Sequence, residues 1–386
     1  MLMNPLVIIG TGLAGYNLAR EFRKLDAERP LLLLTSDDGR NYSKPMLSTG
    51  YSKGKDADGL AMSGVEQMRE QLKAEIRTGV QVNAIDRAGK TLQVEGETIA
   101  YSTLVLALGA DVFRPDLGGD GIEHVLSIND LGDYAAFRAA AAGKKKIIII
   151  GGGLIGCEFA NDLSTGGYQV DVVEPVGRVL PSLLPERGSE AVANGLSALG
   201  VKFHFGHSVK GVWEKGEGVE VELSNGERIG GDLVLSAIGL RPRTGLALNA
   251  GLEVGRGIKV DRFLRTSDEN IYALGDAAEV EGKVLLYVLP LMAAARALAK
   301  TLTGEATAVQ YPAMPVQVKT PACPVVVSPV VPGTPGEWEI EADGNDVKAV
   351  FRNPQGQVLG FALTGAPAGS GATKMELTRL LPPILA

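Results

Sequence analysis

A chain of 386 residues is long enough for two or three hydrophobic cores, because a single core stops growing at roughly 250–300 residues. Its 45% hydrophobic and 22% charged residues are those of a globular protein, and a formal charge of -7 runs against a general nucleic-acid binder, which needs a basic face. Only Cys157 and Cys323 are present, which excludes a disulfide framework and any C-x-x-C redox or zinc pair; no apolar run approaches the ~18 residues of a membrane span. Met1 to Asn4 is too short for a signal peptide, so a cytosolic chain is expected.

The first element is a buried strand, Val7-Ile8-Ile9, running into Gly10-Thr11-Gly12-Leu13-Ala14-Gly15 and then a helix marked by Leu18, Phe22 and Leu25. Gly10 allows the tight turn, Gly12 lets backbone approach a pyrophosphate, and Gly15 lets helix pack on strand, so phosphates meet the positive end of the helix dipole. Leu31 to Leu34 reads as the next buried parallel strand. Its end carries Thr35-Ser36-Asp37-Asp38 in place of an immediate acid, so either Asp37 reaches the ribose or Ser36 and backbone groups hold it. In Tyr42-Ser43-Lys44-Pro45-Met46-Leu47-Ser48 the X-Pro step predicts extended backbone, and Lys44 is placed either against an electron-rich ring or in solvent. Gly79 to Ile85 alternates like a half-exposed strand, and Thr103 to Ala110 is a buried strand whose small end residues, Ala107 and Gly109, permit close ligand approach.

Residues 115–133 read as a crossover, after which the plan repeats. Ile147 to Ile150 leads into Gly151-Gly152-Gly153-Leu154-Ile155-Gly156, and the strand Val170 to Val173 ends in Glu174, about 20 residues past the glycines, where a carboxylate meets a ribose 2'-hydroxyl. That carboxylate repels a 2'-phosphate and favours NADH over NADPH, with Arg178 nearby as a lone counterweight. Val219 to Leu223 followed by Asn225-Gly226 predicts a hairpin. Asp232 to Gly239, closing on Ala237 and Gly239, echoes Thr103 to Ala110, so the two halves are copies of one nucleotide-binding plan. Two such crevices in one chain suggest two dinucleotides held so that electrons pass between them.

Gly275-Asp276 at the end of Ile271 to Leu274 suits hydrogen bonds to a ribitol chain, or a helix cap. A helix over Leu289 to Leu302 offers its positive end to charge developing on a reduced ring. Past Tyr311, prolines divide short β-prone runs, with strands expected near 338–342, 347–352 and 358–364: a small mixed domain. His124, His204 and His207 lack ligand spacing, so no metal site is expected. Cys157, in a first helical turn, and Cys323, between prolines, read as packed residues.

Both fingerprints, the two Ala-x-Gly strand ends and Ile271-Tyr272-Ala273-Leu274-Gly275-Asp276 resemble the two-dinucleotide flavoprotein reductases over almost the whole chain. Tyr42 to Gly50, Gly156 to Leu163 and Val318-Lys319-Thr320-Pro321-Ala322-Cys323-Pro324 are most similar to the bacterial NADH-dependent rubredoxin reductases. The resemblance implies an α/β fold of two Rossmann-like domains with a small mixed C-terminal domain: FAD in 1–112 and 237–310, NAD in 113–236, and the remainder in 311–386. It implies FAD contacts at Gly10, Gly12, Leu13, Ala14, Gly15, Lys44, Val82 through its backbone, Asp276, Val288 and Lys319; from the residues themselves, Pro45, Ala107, Gly109, Gly275 and either Ser36 or Asp37 join the expected cofactor site. NADH is expected at Gly151, Gly153, Leu154, Ile155, Gly156, Glu174, Ala237 and Gly239, with Glu158 near nicotinamide and flavin.

The catalytic expectation is an ion pair of Glu158 with Lys44 beside the ring, Lys319 adding positive potential, and a basic patch from Lys44, Lys53 and Lys55 for an acidic rubredoxin. Ferredoxin-reducing relatives often carry a lysine where this chain has Thr49. A flavorubredoxin or ferredoxin as acceptor, and an NADH-sensing flavoprotein resembling apoptosis-inducing factor, are the alternatives. No nucleic-acid or membrane partner is expected, and monomer and homodimer both stay open.

Overall fold

The computed structural model describes residues 4–386. Of the segment Met1 to Asn4, the first three residues therefore lie outside the described chain.

Two parallel sheets carry the nucleotide-binding plan. In the first, the strands lie in the order Ile271–Ala273, Thr103–Leu106, Leu6–Ile9, Leu31–Leu34, Glu75–Arg77. In the second the order is Val125–Leu126, Leu233–Ser236, Lys146–Ile150, Gln169–Glu174, Lys202–Phe205, again all parallel. The central strands are buried on both faces, which is why Leu31 to Leu34 and Ile147 to Ile150 are unbroken apolar runs. Each sheet is accompanied by a three-stranded antiparallel meander, Val82–Asp86, Thr91–Val94 and Glu97–Ala100 in one unit and Val209–Lys215, Gly218–Leu223 and Arg228–Gly231 in the other. The Asn225-Gly226 hairpin is present, with Gly226 at a φ of 84°. The second unit is inserted between two strands of the first sheet, Thr103–Leu106 and Ile271–Ala273.

The internal repeat extends to atomic approach distances. Gly10 has a φ of 113°, and a Cβ there would lie 2.3 Å from the Ala107 carbonyl oxygen; at Gly151, φ 104°, it would lie 2.8 Å from that of Ala237. A Cβ on Gly15 would lie 1.9 Å from the Gly10 oxygen, and on Gly156 1.9 Å from the Gly151 oxygen. The first pair lets the turn pass the neighbouring strand end, and the second lets the helix start against the turn.

Three sequence expectations change. The crossover over 115–133 contains the strand Val125–Leu126, an edge of the second sheet that is too short to leave a periodic signal. The run expected from Gly79 starts as a strand only at Val82, because Gly79 turns the chain at a φ of 67°. Lys44 to Thr49 forms a 3-10 turn, with the extended backbone ending at Ser43 after the short strand Asn41–Tyr42; proline fits the first turn of a helix, where its missing N–H has no partner to lose.

The C-terminal unit is an antiparallel sheet ordered Val316–Val318, Val325–Ser328, Val358–Thr364, Asp346–Arg352, Glu337–Asp343. One face, with Val325, Val327, Val347, Ala349 and Ala362, shares a core with the second unit. The other, with Val326, Val350, Phe361 and Leu363, is closed by Leu377 of the helix Gly371–Leu380. Among the described residues no helix is long and apolar enough to cross a membrane.

Candidate active site

The three units meet around a cleft of about 1220 Å³, beyond the ~300–1,000 Å³ of an ordinary small-molecule pocket. From the first unit it is lined by Gly10, Gly12, Leu13, Ala14, Ser36, Asp37, Lys44, Pro45, Val82, Ala107, Gly109, Asp276 and Val288; from the second by Leu154, Ile155 and Glu158; from the third by Lys319. Gly15 is not on the wall, because it packs against Gly10. Gly275 also stands back: with a φ of 73° and a would-be Cβ 2.7 Å from that of Ala14, it turns the chain so that Asp276 reaches the cleft.

The glycine turn leaves room for a dinucleotide. Nothing lies within 4 Å of a Cβ built on Gly12, and the helix Leu13–Leu25 starts there with no side-chain cap on its N–H groups. Its first-turn N–H groups are left without a side-chain acceptor, an arrangement that favours an anion. Asp37 is tied to this turn: its Oδ1 accepts from Thr11 Oγ1 at 3.1 Å, from Thr35 Oγ1 at 2.8 Å and from the Gly39 N–H at 2.9 Å. Sequence left Ser36 and Asp37 as alternatives; the bond from Thr11 holds the Asp37 carboxylate beside the glycine turn, and Oδ2 has no protein donor among the described residues.

The charged groups pair differently from the sequence expectation. Glu158, 1% exposed, accepts from the Lys319 ammonium and from Ser48 Oγ at 2.6 Å through Oε2, and from the Lys319 backbone N–H at 2.9 Å through Oε1. Lys44 instead donates to Asn129 Oδ1 at 2.7 Å, so the expected Lys44 to Glu158 ion pair is absent. Both lysines share the cleft with Glu158, but the loop Val318 to Pro324 brings Lys319 onto it by main chain and side chain together, which leaves Glu158 no need of Lys44. Burial pushes the Lys44 ammonium below the ordinary lysine range against the pull of Asp276, while burial pushes the Asp276 carboxyl up against the pull of Lys44.

Glu158 is one of three buried polar residues on a single helix, Leu154–Thr165. Asn161 Oδ1 accepts the Ala322 N–H at 3.0 Å, and the two Asp162 oxygens accept the N–H groups of Tyr51 and Ser52 at 3.0 and 2.8 Å. One helix of the second unit is thereby bound to both of the others. Sequence reasoning missed Asn129, Ser48 and Asp162; for Asp162 the signal was there, since Glu158, Asn161 and Asp162 stand at i, i+3 and i+4 on a helix with no other charged or amide side chain.

Gly151, Gly153, Gly156, Glu174, Ala237 and Gly239 are not on this wall; they gather at the carboxyl end of the second sheet. Gly153 is as open as Gly12, with nothing within 4 Å of its Cβ position, whereas Gly156 serves packing. Glu174 accepts the Gly152 N–H at 2.6 Å and the Val176 N–H at 2.9 Å, which fixes a negative charge at the turn. Arg178 is directed at the Pro181 carbonyl, at 3.5 Å, in place of a cluster that could hold a phosphate.

Lys53 and Lys55 lie off the cleft; the Lys55 carbonyl instead accepts from Tyr134 Oη and Arg138. Lys374, on the C-terminal helix, is the exposed lysine on the cleft wall. Cys157 and Cys323 are buried, and burial pushes both thiols up, which suppresses thiolate chemistry. His124 comes within 3.9 Å of Glu123 and 3.8 Å of Glu214 at the surface, a contact made by a strand distant in sequence.

Residues 4–300 match the pyridine nucleotide-disulphide oxidoreductase family, and residues 308–381 match the rubredoxin binding C-terminal domain. A rubredoxin-NAD(+) reductase of Alcanivorax borkumensis is 59% identical over 384 residues, covering 99% of this chain and 100% of the relative. A nitric oxide reductase FlRd-NAD(+) reductase of Vibrio vulnificus is 37% identical over 362 residues, with 94% of each chain covered. The crystal structure of a ferredoxin reductase from Rhodopseudomonas palustris superposes with a TM-score of 0.85 at 29% identity, over 94% of this chain and 91% of that one. The twin glycine turns, the shared cleft and these matches lead to one assignment: the chain belongs to the pyridine nucleotide-disulphide oxidoreductase family and carries a rubredoxin binding C-terminal domain.

Proposed function

We propose that this chain is an FAD-dependent reductase that takes electrons from NADH and passes them one at a time to rubredoxin. The observation that carries the reading is the single cleft shared by the first glycine turn, the helix that follows the second, and the loop holding Lys319. The first unit, 1–112 with 237–310, is assigned to FAD, the inserted unit, 113–236, to NADH, and 311–386 to docking of the carrier. When bound, FAD supplies a ring that takes a hydride and releases single electrons.

The chain's own residues supply placement and charge. Gly10, Gly12, Leu13, Ala14 and the helix start receive the pyrophosphate; Asp37 takes ribose hydroxyls; Asp276, at the cleft beside Gly275, suits the ribityl chain. Pro45, Val82, Ala107 and Gly109 shape the wall, and Val288 begins a 15-residue helix whose uncapped end adds positive potential. Gly151, Gly153 and Glu174 are assigned to the adenosine side of NADH, with Leu154, Ile155 and Glu158 guiding nicotinamide into the cleft. Because Lys319 is engaged by Glu158, the uncompensated positive charge toward the ring is that of Lys44.

The test is anaerobic stopped-flow reduction by NADH followed by mixing with rubredoxin. Fast bleaching and fast onward reduction of the iron are expected; bleaching without onward reduction overturns the rubredoxin assignment. The 37% identity to FlRd-NAD(+) reductases supports a second reading, in which a flavorubredoxin is the carrier. Onward rates measured side by side with the two carriers decide between them.

A further inference from the structure

Asn129 stands one residue before the cap of the helix Leu131–Ala141, and its backbone is fixed there: its N–H donates to Asp133 Oδ2 at 2.9 Å, while Asp130 Oδ1 accepts the Asp133 N–H at 2.8 Å. Its side chain is buried and oriented, because Nδ2 donates to the Ala110 carbonyl at 2.9 Å, just past the strand end Gly109 of the first unit. With the amide hydrogens turned that way, Oδ1 must face the other way, and there it accepts from Lys44 Nζ at 2.7 Å. Ile128, Asn129 and Asp130 all line the cleft. No sequence motif marks this contact, which joins residues 85 positions apart.

The choice of an amide is the informative feature. A carboxylate at this position would form an ion pair with Lys44 and cancel its field, whereas an amide oxygen accepts one ammonium hydrogen and leaves the full charge directed at the cleft. The carboxylates and guanidinium that act on Lys44 are farther off: Asp276 and Arg243 from the first unit, Asp130 and Asp133 from the second, with no carboxylate at ion-pair distance among the described residues. Asn129 is also a residue of the inserted unit holding a lysine of the first one, so it couples the position of that charge to the seating of the two units.

We propose that Asn129 is the positioning residue for Lys44, holding its ammonium toward the flavin ring through a neutral acceptor so that the charge assists reduction undiminished. This deepens the functional reading above and rests on it. Lys44 acts on the ring and Asn129 acts only through Lys44.

The test measures the reduction potential of bound FAD by dye equilibration and the rate of bleaching by NADH, in FAD-loaded wild type, Asn129→Ala, Asn129→Asp, and both with and without Lys44→Met. The expected potentials fall in the order wild type, Asn129→Ala, Asn129→Asp, with bleaching slowed by about tenfold in the last, where a carboxylate offsets the lysine's charge. In the Lys44→Met background Asn129→Ala shifts nothing further. Equal potentials in wild type and Asn129→Asp, or an Asn129→Ala shift that persists without Lys44, overturn the proposal while wild-type bleaching preserves the functional reading. Leu is nearly isosteric with Asn and carries no charge, so the potential of Asn129→Leu, read with and without Lys44→Met, decides the matter if the Ala variant fails to fold. A wild type that takes up no FAD, or whose FAD is not bleached by NADH, overturns the functional reading and this proposal with it.

Discussion

The two glycine turns share a backbone and differ in how they hold an acid. In both, the first and last glycines are forced by carbonyl oxygens closer than a side chain permits, and the middle one faces open space. In the second unit Glu174 ends its strand and takes a backbone N–H from the turn itself, at Gly152. In the first, Asp37 lies three residues past the strand Leu31–Leu34 and is bound to the turn through the hydroxyl of Thr11. Packing geometry therefore leaves no freedom at the first and last glycines, whereas a carboxylate can be delivered from different chain positions provided that some donor on the turn receives it.

The comparison predicts a graded series. Gly15→Ala and Gly156→Ala place a methyl group inside a carbonyl contact and are expected to cost about 3 kcal/mol or more, read as a large loss of thermal stability, whereas Gly12→Ala and Gly153→Ala change stability by no more than ~0.5 kcal/mol and act on dinucleotide binding. Equal melting temperatures across the four variants would break the distinction between packing and ligand glycines. Next in size, Glu174→Ala should weaken selection of NADH over NADPH by about tenfold in kcat/KM, the loss of one charged hydrogen bond to a ribose hydroxyl, with the rate of bleaching at saturating NADH preserved.

The smallest effect is on the pH dependence of the FAD-free protein. Burial raises the Asp276 carboxyl above its ordinary value, so the stability it contributes is full below the unfolded pKa and is lost as pH rises through the folded one. Asp232, in the second unit, is lowered by the N–H groups of Lys145 and Lys146, so its contribution is present above the unfolded pKa and is lost as pH falls through the folded one. Asp276→Asn should therefore raise stability at neutral pH relative to acid, and Asp232→Asn should lower it there, in melts followed across the carboxylate range.

What the sequence made legible was local. Both strand-turn-helix units, the small residues at the two strand ends, and Glu174 follow from patterns within about 30 residues. Partner choice within the cleft was not legible, because attraction alone cannot say which of two lysines meets Glu158 when Lys319 lies 161 residues away and Ser48 110. The helix Gly371–Leu380 also left no stripe to read, since Leu377 is its only fully buried residue. The Lys44 to Thr49 turn was misread for a related reason: the X-Pro rule governs one residue's backbone and says little about the turn it opens.

Asn161 and Glu158 reach the last third of the polypeptide through main-chain groups of Lys319 and Ala322. A tail taken from another reductase can replace this one only if its peptide units arrive at the same two acceptors; otherwise the buried Glu158 carboxylate and Asn161 amide oxygen each lose a main-chain donor, at a loss of about 1–3 kcal/mol each. Exchanging tails between such reductases is thus constrained at this seam, while the outer strand Glu337–Asp343 makes no hydrogen bond to Glu158 or Asn161.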